Sequence, residues 1–339
     1  MQTLVAAIFV FGILVLAHEL GHYLAARLTG IRVLELAIGF GPKIMSWRKN
    51  KIDYSLRLLP LGGFCRMLGE NPEEVNEPGN FTKKPIFHRA VVLAAGAFMN
   101  LLLAVLVFFV IFFFLIGVPQ TSVSRIGTVF SGSPAELAGL QSGDEIVSIE
   151  NKPVQRWEDV VAAIEPRPGE TVRIVARRDG EIKELFPTIA AVPETGKGMI
   201  GITPVVQKYH FTGSVATSFN RFGSVILSMY QVITGQAPLD VAGPVGIIII
   251  VGEVAQTGFV NLLWLTAVIS ISLGLINLLP VPALDGGRLL FLLVEAVRGR
   301  PVDPEKEGFI HFIGFALLIL LILLVTYNDL IRWDILPWR

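Results

Sequence analysis

The stretch that decides the fold is residues 4–28, LVAAIFVFGILVLAHELGHYLAARL. It is long enough to cross the hydrocarbon core of a bilayer, which takes about 20 apolar residues in a helix. Its apolar run is too long for a secretory signal peptide and no basic residue precedes it, so we expect an uncleaved membrane span. Ionisable side chains nevertheless interrupt its second half, and at this depth they are costly and usually functional.

Composition extends this interpretation to the whole chain. Hydrophobic residues make up 53% of the 339 residues and charged residues only 17%, against about 25% in soluble domains. Further apolar stretches of spanning length lie at 90–118, 259–297 and 310–327. The sequence therefore predicts a multi-pass α-helical membrane protein with about four transmembrane helices. The formal net charge is zero, which gives no indication of nucleic acid as a partner.

Basic residues are concentrated in the loop 29–85 between the first two spans. They are Arg32, Lys43, Arg48, Lys49, Lys51, Arg57, Arg66, Lys83 and Lys84. Because positive charge in short loops stays in the cytoplasm, we expect the N-terminus and the segment after the second span to lie outside. Within this loop, Lys43–Trp47 and Ile52–Leu58 alternate like strands around Arg48-Lys49-Asn50. A membrane-associated β-hairpin is therefore predicted at 33–65.

The segment after the second span is predicted to hold one inserted α+β domain at 119–205. Strands are expected at Ile126–Phe130, Glu145–Glu150, Thr171–Arg177 and Ile182–Thr188, and helices at Ala135–Gly139 and Trp157–Ile164. The GLxxGD pattern at 139–144 resembles the core of a PDZ domain, a fold that binds a peptide by adding it as a strand. The resemblance implies peptide C-termini as partners; the alternative is a rigid spacer that binds nothing.

Residues 206–258 are interpreted as a linker between this domain and the third span. Phe211–Gly235 is predicted to form an amphipathic helix at the membrane surface. The breaker cluster Ala242–Gly246 precedes the apolar run Ile247–Val251, which is too short to cross a bilayer. That run is expected to be either re-entrant or packed against the spans.

The ionisable residues of the first span form the pattern His18-Glu19-x-x-His22. Residues four apart share one face of an α-helix, so both imidazoles can reach one metal ion. This spacing is typical of zinc metalloproteases, in which the glutamate acts as the general base. A polar cluster that faces other helices, or a proton relay, is the alternative interpretation.

Zinc in a catalytic site needs a third protein ligand and an open position for water. The candidate is Asp285 in NLLPVPALDGG (277–287), where Pro280 and Pro282 prevent a regular helix. Gly286 and Gly287 permit close packing against the first span, and the alternative for Asp285 is a helix cap. We therefore predict that zinc is held by His18, His22 and Asp285, and the mechanism that follows is metal-assisted hydrolysis of a peptide bond.

Other polar residues are assigned weaker roles. Asn277 is expected to steady the oxyanion or the substrate backbone, or else to satisfy the broken helix. Cys65 is the only cysteine, so it forms no disulfide within the chain and is interpreted as a passive thiol in a loop. The remaining histidines lack ligand spacing and are interpreted as surface or interface residues; they are His88, His210 and His311.

Together, these motifs resemble the site-2 protease family of intramembrane zinc metalloproteases. The HELGH of the first span and the NLLPVPALDGG of the third carry the resemblance, and the single PDZ-like domain is similar to the bacterial regulator-of-sigma-E protease branch. Gly39-Phe40-Gly41-Pro42, Gly243-Pro244-Val245-Gly246 and Tyr327-Asn328-Asp329 also resemble that branch. One departure is Ala97, in Gly96-Ala97-x-x-Asn100, where the family often has proline.

The resemblance implies a bacterial inner-membrane enzyme that cuts transmembrane segments of single-pass proteins, such as anti-sigma-factor-like proteins or remnant signal peptides. It implies Zn²⁺ as the cofactor and lipid and membrane proteins as partners, and the charge pattern of the loop 29–85 predicts an active site near the cytoplasmic side. One alternative is an inactive relative that binds membrane proteins through its PDZ domain. Another is an ion transporter, which the absence of inverted repeats in the sequence disfavours.

Overall fold

Membrane-length helices dominate the computed structural model, which describes residues 2–69, 77–192, 195–236 and 242–333. Among these residues four helices are long and apolar enough to cross a membrane. They are Gln2–Leu28, Ile86–Leu115, Phe259–Leu278 and Pro304–Arg332. The predicted fold class is thereby confirmed, while parts of the predicted linker (237–241) and C-terminal part (334–339) lie outside the described residues.

The chain divides into two compact units. The membrane unit comprises residues 1–111 and 215–339, and the inserted unit is Phe112–Ser214. The inserted unit extends beyond both ends of the domain predicted at 119–205, and those domain limits stay a prediction.

The elements follow one another in this order. The first part has α1 (Gln2–Leu28), β1 (Val33–Lys49), β2 (Ile52–Met67), a 3-10 turn (Phe81–Lys83), α2 (Ile86–Val110) and a π-helical turn (Ile111–Leu115). The middle part has β3 (Gly117–Pro119), β4 (Ile126–Val129), α3 (Pro134–Leu137), β5 (Glu145–Ile149), β6 (Lys152–Pro153), α4 (Trp157–Ile164), β7 (Ile174–Arg178), β8 (Glu181–Leu185), β9 (Ala190–Ala191), β10 (Gly198–Met199), β11 (Ile202–Pro204) and β12 (Val206–Lys208). The last part has α5 (Phe211–Ile233), α6 (Pro244–Thr257), α7 (Phe259–Leu278), α8 (Asp285–Arg298) and α9 (Pro304–Arg332).

Glycines allow α2 to pack closely against two other spans. A Cβ atom on Gly21 of α1 would collide with the carbonyl oxygen of Ala95 in α2. On the other side, a Cβ on Gly274 of α7 would lie 3.0 Å from the carbonyl oxygen of Ala97. Because small residues are what permit such close backbone contact between membrane helices, α2 becomes the central helix between α1 and α7.

The third span was predicted at 259–297 with a break at Pro280 and Pro282, and in the structure this interval is divided into two helices. The helix α7 ends at Leu278, and a separate helix α8 begins at Asp285. Pro280 and Pro282 lie in the intervening loop, where they cannot donate the backbone hydrogen bonds that a continuous helix requires. The break therefore places Asp285 at the start of a new helix.

The predicted hairpin is present and longer than its two seed strands. Its two-residue turn is Asn50 and Lys51, both with positive φ, which is one position beyond the predicted turn centre. Residues 35–38 of β1 pair with both 53–56 and 63–66 of β2. This arrangement places residues 63–67 at one side of the sheet, where β2 packs against α1.

A charged cluster is enclosed within the hairpin. The Glu35 carboxylate accepts hydrogen bonds from Ser55 Oγ (2.8 Å) and Arg57 Nη2 (2.9 Å), and Lys43 Nζ lies 3.2 Å away. Burial acts to raise the pKa of Glu35, but the hydrogen bonds from Arg57, Ser55 and Lys43 outweigh it and lower the pKa. The carboxylate is therefore ionised at neutral pH, and its stabilising contribution is lost only in acid, as the pH falls through this lowered pKa.

The short apolar run before the third span lies in the packed helix α6. Its Val251 is fully buried with Val10 and Leu14 of α1 and with Leu262 of α7. The N-terminus of α6 is capped by Asp329 of α9, whose carboxylate accepts hydrogen bonds from the backbone N–H groups of Gly243 (3.1 Å) and Gly246 (2.8 Å). A carboxylate at this position satisfies N–H groups that have no partner within the helix.

The inserted unit is built around one apolar core and a four-stranded sheet in the order β6-β5-β7-β8. The predicted helix at Trp157–Ile164 has those limits in the structure, and the other predicted strands and helix differ from theirs by one to three residues at an end. Asp144 of the GLxxGD pattern is fully buried and paired with Arg178 at 2.7 Å. It also accepts the backbone N–H of Gln141, so this carboxylate joins the loop between α3 and β5 to the end of β7.

Replacing Arg178 by Met is expected to destabilise the inserted unit by about 3 kcal/mol, because the buried Asp144 carboxylate loses its counter-charge. The matched control is Arg173→Met, which breaks the exposed pair with Glu184 and should cost less than about 1 kcal/mol. Pulse proteolysis of the purified chain in urea measures both free energies of unfolding. Equal costs for the two variants would show that the Asp144 pair has no special role.

Candidate active site

Two histidines of α1 face the same point in the membrane unit. His18 and His22 lie one helical turn apart, and their Nε2 atoms are 3.2 Å from each other. The Nδ1 atom of His22 lies 2.8 Å from the backbone oxygen of Val92 in α2, and a carbonyl oxygen only accepts, so this Nδ1 carries the proton. In the neutral ring, Nε2 of His22 then presents a lone pair toward His18.

The start of α8 supplies the third group of this cluster. Asp285 Oδ2 lies 3.2 Å from His18 Nε2 and 3.4 Å from His22 Nε2. It is the first residue of α8 and its side chain is turned to the histidines, whereas the helix cap position is Leu284. The prediction that the broken third span carries Asp285 to the HExxH motif thus agrees with the structure, and its role as a ligand stays a prediction.

Glycines and a histidine hold the loop that carries Asp285. A Cβ on Gly286 would collide with Leu279, and one on Gly287 would collide with Val281, so the loop folds tightly onto the helix. The backbone N–H of Ala283, which has a φ of 79°, donates to His311 Nδ1 at 2.9 Å. Left-handed backbone is unfavourable for alanine, and this hydrogen bond to His311 of α9 helps to hold it.

The donor set fits a zinc ion. Zinc bonds of about 2.0–2.2 Å in a tetrahedron separate the ligand atoms by roughly 3.3–3.6 Å. The three atoms His18 Nε2, His22 Nε2 and Asp285 Oδ2 are 3.2–3.4 Å apart. Asp285 Oδ2 is buried and has no hydrogen-bond partner in the described part of the chain, although burial of such an oxygen without a partner is costly. A cation bound between the three groups would satisfy it.

Glu19 lies beside this cluster and is 9% exposed. Its carboxylate interacts with the backbone N–H of Cys65 in β2. The sheet and the helix come this close because residue 63 is glycine: a Cβ there would lie 2.9 Å from Val15 and 3.2 Å from Glu19 Cγ. The strand therefore orients the one glutamate of the HExxH motif.

A cavity of about 720 Å³ opens onto these groups. Its lining residues are His18, Glu19, His22, Gly63, Phe64, Cys65, Arg66, Met67, Leu93, Ala283, Leu284, Asp285, Arg288, Gly308, His311, Phe312 and Phe315. The space is large enough for a short extended peptide segment, and β2 forms one of its walls.

The remaining sequence assignments have different outcomes. Asn277 lies half-buried in the last turn of α7 and is not among the residues that line the cavity, so its role stays a prediction. Cys65 is buried in a strand and lines the cavity, so its placement in a loop is wrong. His311 also lines the cavity, whereas His88 and His210 do not.

Comparison with known proteins decides the family. The family model described as "Peptidase family M50" matches residues 6–321. The chain belongs to peptidase family M50. This M50 member is 35% identical to the "Zinc metalloprotease RasP" of Geobacillus kaustophilus, over 97% of this chain and 98% of that one. It is 34% identical to the "Regulator of sigma-W protease RasP" of Bacillus subtilis, over 98% and 99% of the two chains.

Two solved structures with similarity to this M50 peptidase each cover about a quarter of the chain. The PDZ domain of an SdrC-like protein from Listeria monocytogenes is 25% identical, with a TM-score of 0.23, and covers 26% of this chain and 92% of that chain. The solution structure of a Geobacillus thermodenitrificans protein is 27% identical, with a TM-score of 0.22, over 24% and 97%.

Several polar residues near the candidate site were not singled out from the sequence, because their partners are distant along the chain. Arg89 of α2 forms a two-pronged salt bridge to Glu295 of α8, with N–O distances of 2.5 and 2.9 Å, which joins the helix of Asp285 to α2. Asn100 is fully buried next to His18. The available signal was a polar or charged residue within a membrane span, which gives a reason to expect a partner but does not name it.

Proposed function

We propose that this chain is a zinc-dependent endopeptidase that hydrolyses peptide bonds within the membrane-spanning segments of single-pass membrane proteins. The observation that carries the proposal is the meeting of two imidazoles and a carboxylate at 3.2–3.4 Å beside a buried glutamate. The two histidines and Glu19 lie on α1, a helix long enough to span a membrane. Membership of family M50 supports the same activity.

In this proposal His18, His22 and Asp285 hold the zinc ion. When bound, zinc acidifies water and polarises the scissile carbonyl group. Glu19 then accepts the proton of the attacking water on its carboxylate and delivers it to the nitrogen of the leaving amine. Its contact with the Cys65 N–H keeps that carboxylate oriented for both transfers. Asn277 is proposed to steady the oxyanion or the substrate backbone, although it lies outside the cavity lining.

The wall formed by β2 suggests how a substrate is held. Residues 63–66 pair with β1 on one side, and residues 63–67 line the cavity. Peptide bonds in a helix are shielded by the hydrogen-bonded ladder, so a substrate segment has to unwind before it is cut. An unwound segment that adds to this strand would satisfy its backbone groups within the membrane.

The substrate class and the topology are part of the proposal. The name of the Bacillus subtilis relative refers to regulation of a sigma factor, which supports anti-sigma-factor-like proteins as substrates, with remnant signal peptides as the second class. The basic loop 29–85 supports a bacterial inner-membrane location with the N-terminus and the PDZ-like domain outside. The active site then lies toward the cytoplasmic side, and the PDZ-like domain binds peptide C-termini or excludes bulky substrates.

The proposal predicts about one zinc ion per purified chain and cleavage of a single-pass test substrate in liposomes. The variant His22→Ala is expected to lose both zinc and cleavage, because only two ligands are left. His210→Ala, an exposed histidine of the inserted unit, is the matched control and should retain both. Metal analysis and gel-based cleavage assays measure the two results. Full cleavage by a metal-free preparation would exclude a zinc-dependent mechanism, whereas a parent chain that holds no zinc and does not cleave would leave a binding or transport function.

A further inference from the structure

Asn100 is a fully buried amide in the middle of a membrane-length helix. Its backbone oxygen accepts a hydrogen bond from Ser270 Oγ at 2.7 Å. Its side-chain Nδ2 lies 3.3 Å from His18 Nδ1. Its side-chain Oδ1 is buried and has no hydrogen-bond partner among the described residues. An amide oxygen left in this state is costly in a membrane interior, so the site calls for a different arrangement of the same atoms.

The chemistry of a metal-binding histidine supplies that arrangement. A neutral imidazole that gives its Nε2 lone pair to a metal carries its proton on Nδ1. His18 Nδ1 is then a donor, and it faces Nδ2 of Asn100, which is also a donor. The two ends of an amide have nearly the same shape, so a half-turn of the side chain exchanges them. After this exchange Oδ1 accepts from His18 Nδ1–H, and the unpartnered oxygen is satisfied.

The neighbouring histidine already shows the corresponding contact. His22 Nδ1 lies 2.8 Å from the backbone oxygen of Val92, which is also in α2. Val92, Gly96 and Asn100 are spaced by four residues, so they lie along one face of α2. Gly96 is the point of closest approach, since a Cβ there would lie 2.8 Å from His18 Nε2 and still closer to His22 Nε2. One face of α2 therefore supports both histidines from behind.

We infer that Asn100 is a positioning residue for the metal centre: its Oδ1 accepts the Nδ1–H of His18 and holds Nε2 toward the metal. This rests on the proposed zinc site. The contact fixes both the tautomer and the ring plane of His18, as outer hydrogen-bond partners of metal-binding histidines do. Asn100 is not among the residues that line the cavity, so its effect is exerted on zinc affinity and through that on catalysis.

Two substitutions of Asn100 test whether zinc affinity depends on the acceptor oxygen of the amide or on its donor N–H groups. Asn100→Leu removes the amide but keeps the branching of the side chain, and it is expected to weaken zinc binding by about 10–100-fold. Asn100→Asp keeps an acceptor oxygen and removes the donor, so zinc affinity should stay within about threefold of the parent chain. The readout is the zinc dissociation constant of the purified full chain, measured by competition with a chromophoric chelator.

The control is Ser270→Ala, which removes the hydrogen bond to the Asn100 backbone but leaves the amide in place. Its zinc affinity should be unchanged, and thermal unfolding of all zinc-free variants checks that they are folded. If the leucine variant does not fold, Asn100→Ala also removes the amide and introduces a smaller side chain. Parental zinc affinity in the folded leucine or alanine variant overturns the inference, and so does loss of affinity in a folded aspartate variant. Absence of zinc from the parent chain itself would instead refute the proposed function.

Discussion

Replacing Glu19 by Gln is expected to lower the rate of peptide cleavage by about 10²–10⁴-fold, the usual contribution of a general acid–base group. The amide has nearly the shape of the carboxylate, but it cannot take a proton from water or return one to the leaving amine. The three groups proposed to hold zinc lie elsewhere, on His18, His22 and Asp285, so zinc content should stay that of the parent chain. Cleavage of a single-pass substrate in liposomes and metal analysis of the same preparation measure both quantities.

The matched control for this substitution is Glu253→Gln, which changes an exposed glutamate of the packed helix α6. It should cleave at the parental rate. A Glu19→Gln chain that cleaves normally would refute the proposed mechanism. A Glu19→Gln chain that has also lost zinc would show instead that this carboxylate supports the metal centre. Natural substrates should accumulate as uncut membrane fragments in cells that contain the Glu19→Gln chain. A comparison of their membrane proteins with those of cells that contain the active chain would identify them.

Replacing Gly96 by Ala is expected to reduce cleavage by at least about 100-fold, the effect of a misplacement of about 1 Å in a catalytic site. The new Cβ would collide with His22 Nε2 and would lie 2.8 Å from His18 Nε2. Either the imidazoles move, which changes their distances to Asp285, or α2 moves and takes the backbone oxygen of Val92 away from His22. Zinc affinity should therefore fall together with activity, in contrast to the result for Glu19→Gln.

The control for the glycine substitution is Gly12→Ala in α1. A Cβ at this position would have no atom within 4 Å, so alanine there fits without any movement. Alanine favours helices over glycine by roughly 1 kcal/mol, so any loss in the Gly96 variant reflects steric conflict and not weakened helix formation. Parental zinc affinity in a Gly96→Ala chain would show that the two histidines have more room than the structure gives them.

Local sequence rules predicted the elements well where one physical signal dominated. Apolar length predicted four spans, and alternation predicted the hairpin, whose turn is displaced by one residue. The same rules extended the third span to residue 297 because apolar residues continue there, and the two prolines that were predicted to break it follow the last helical residue, Leu278. They also left the run at 247–251 undecided between re-entrant and packed, since hydropathy does not reveal that Val251 lies against α1.

The HExxH pattern shows both what a sequence determines and where it stops. Spacing alone determined that His18 and His22 share one face and that Glu19 lies next to them, because the helical repeat is a local property. The proposal of Asp285 needed a second motif, and its distance of 3.2 Å from His18 is a property of the folded chain. Only the tertiary structure brought Val92, Gly96 and Asn100 of α2 behind the two imidazoles. These residues of α2 lie some 70–80 positions from the histidines along the chain. Helix packing decides which distant residues meet, and it depends on the shapes of all the surrounding side chains.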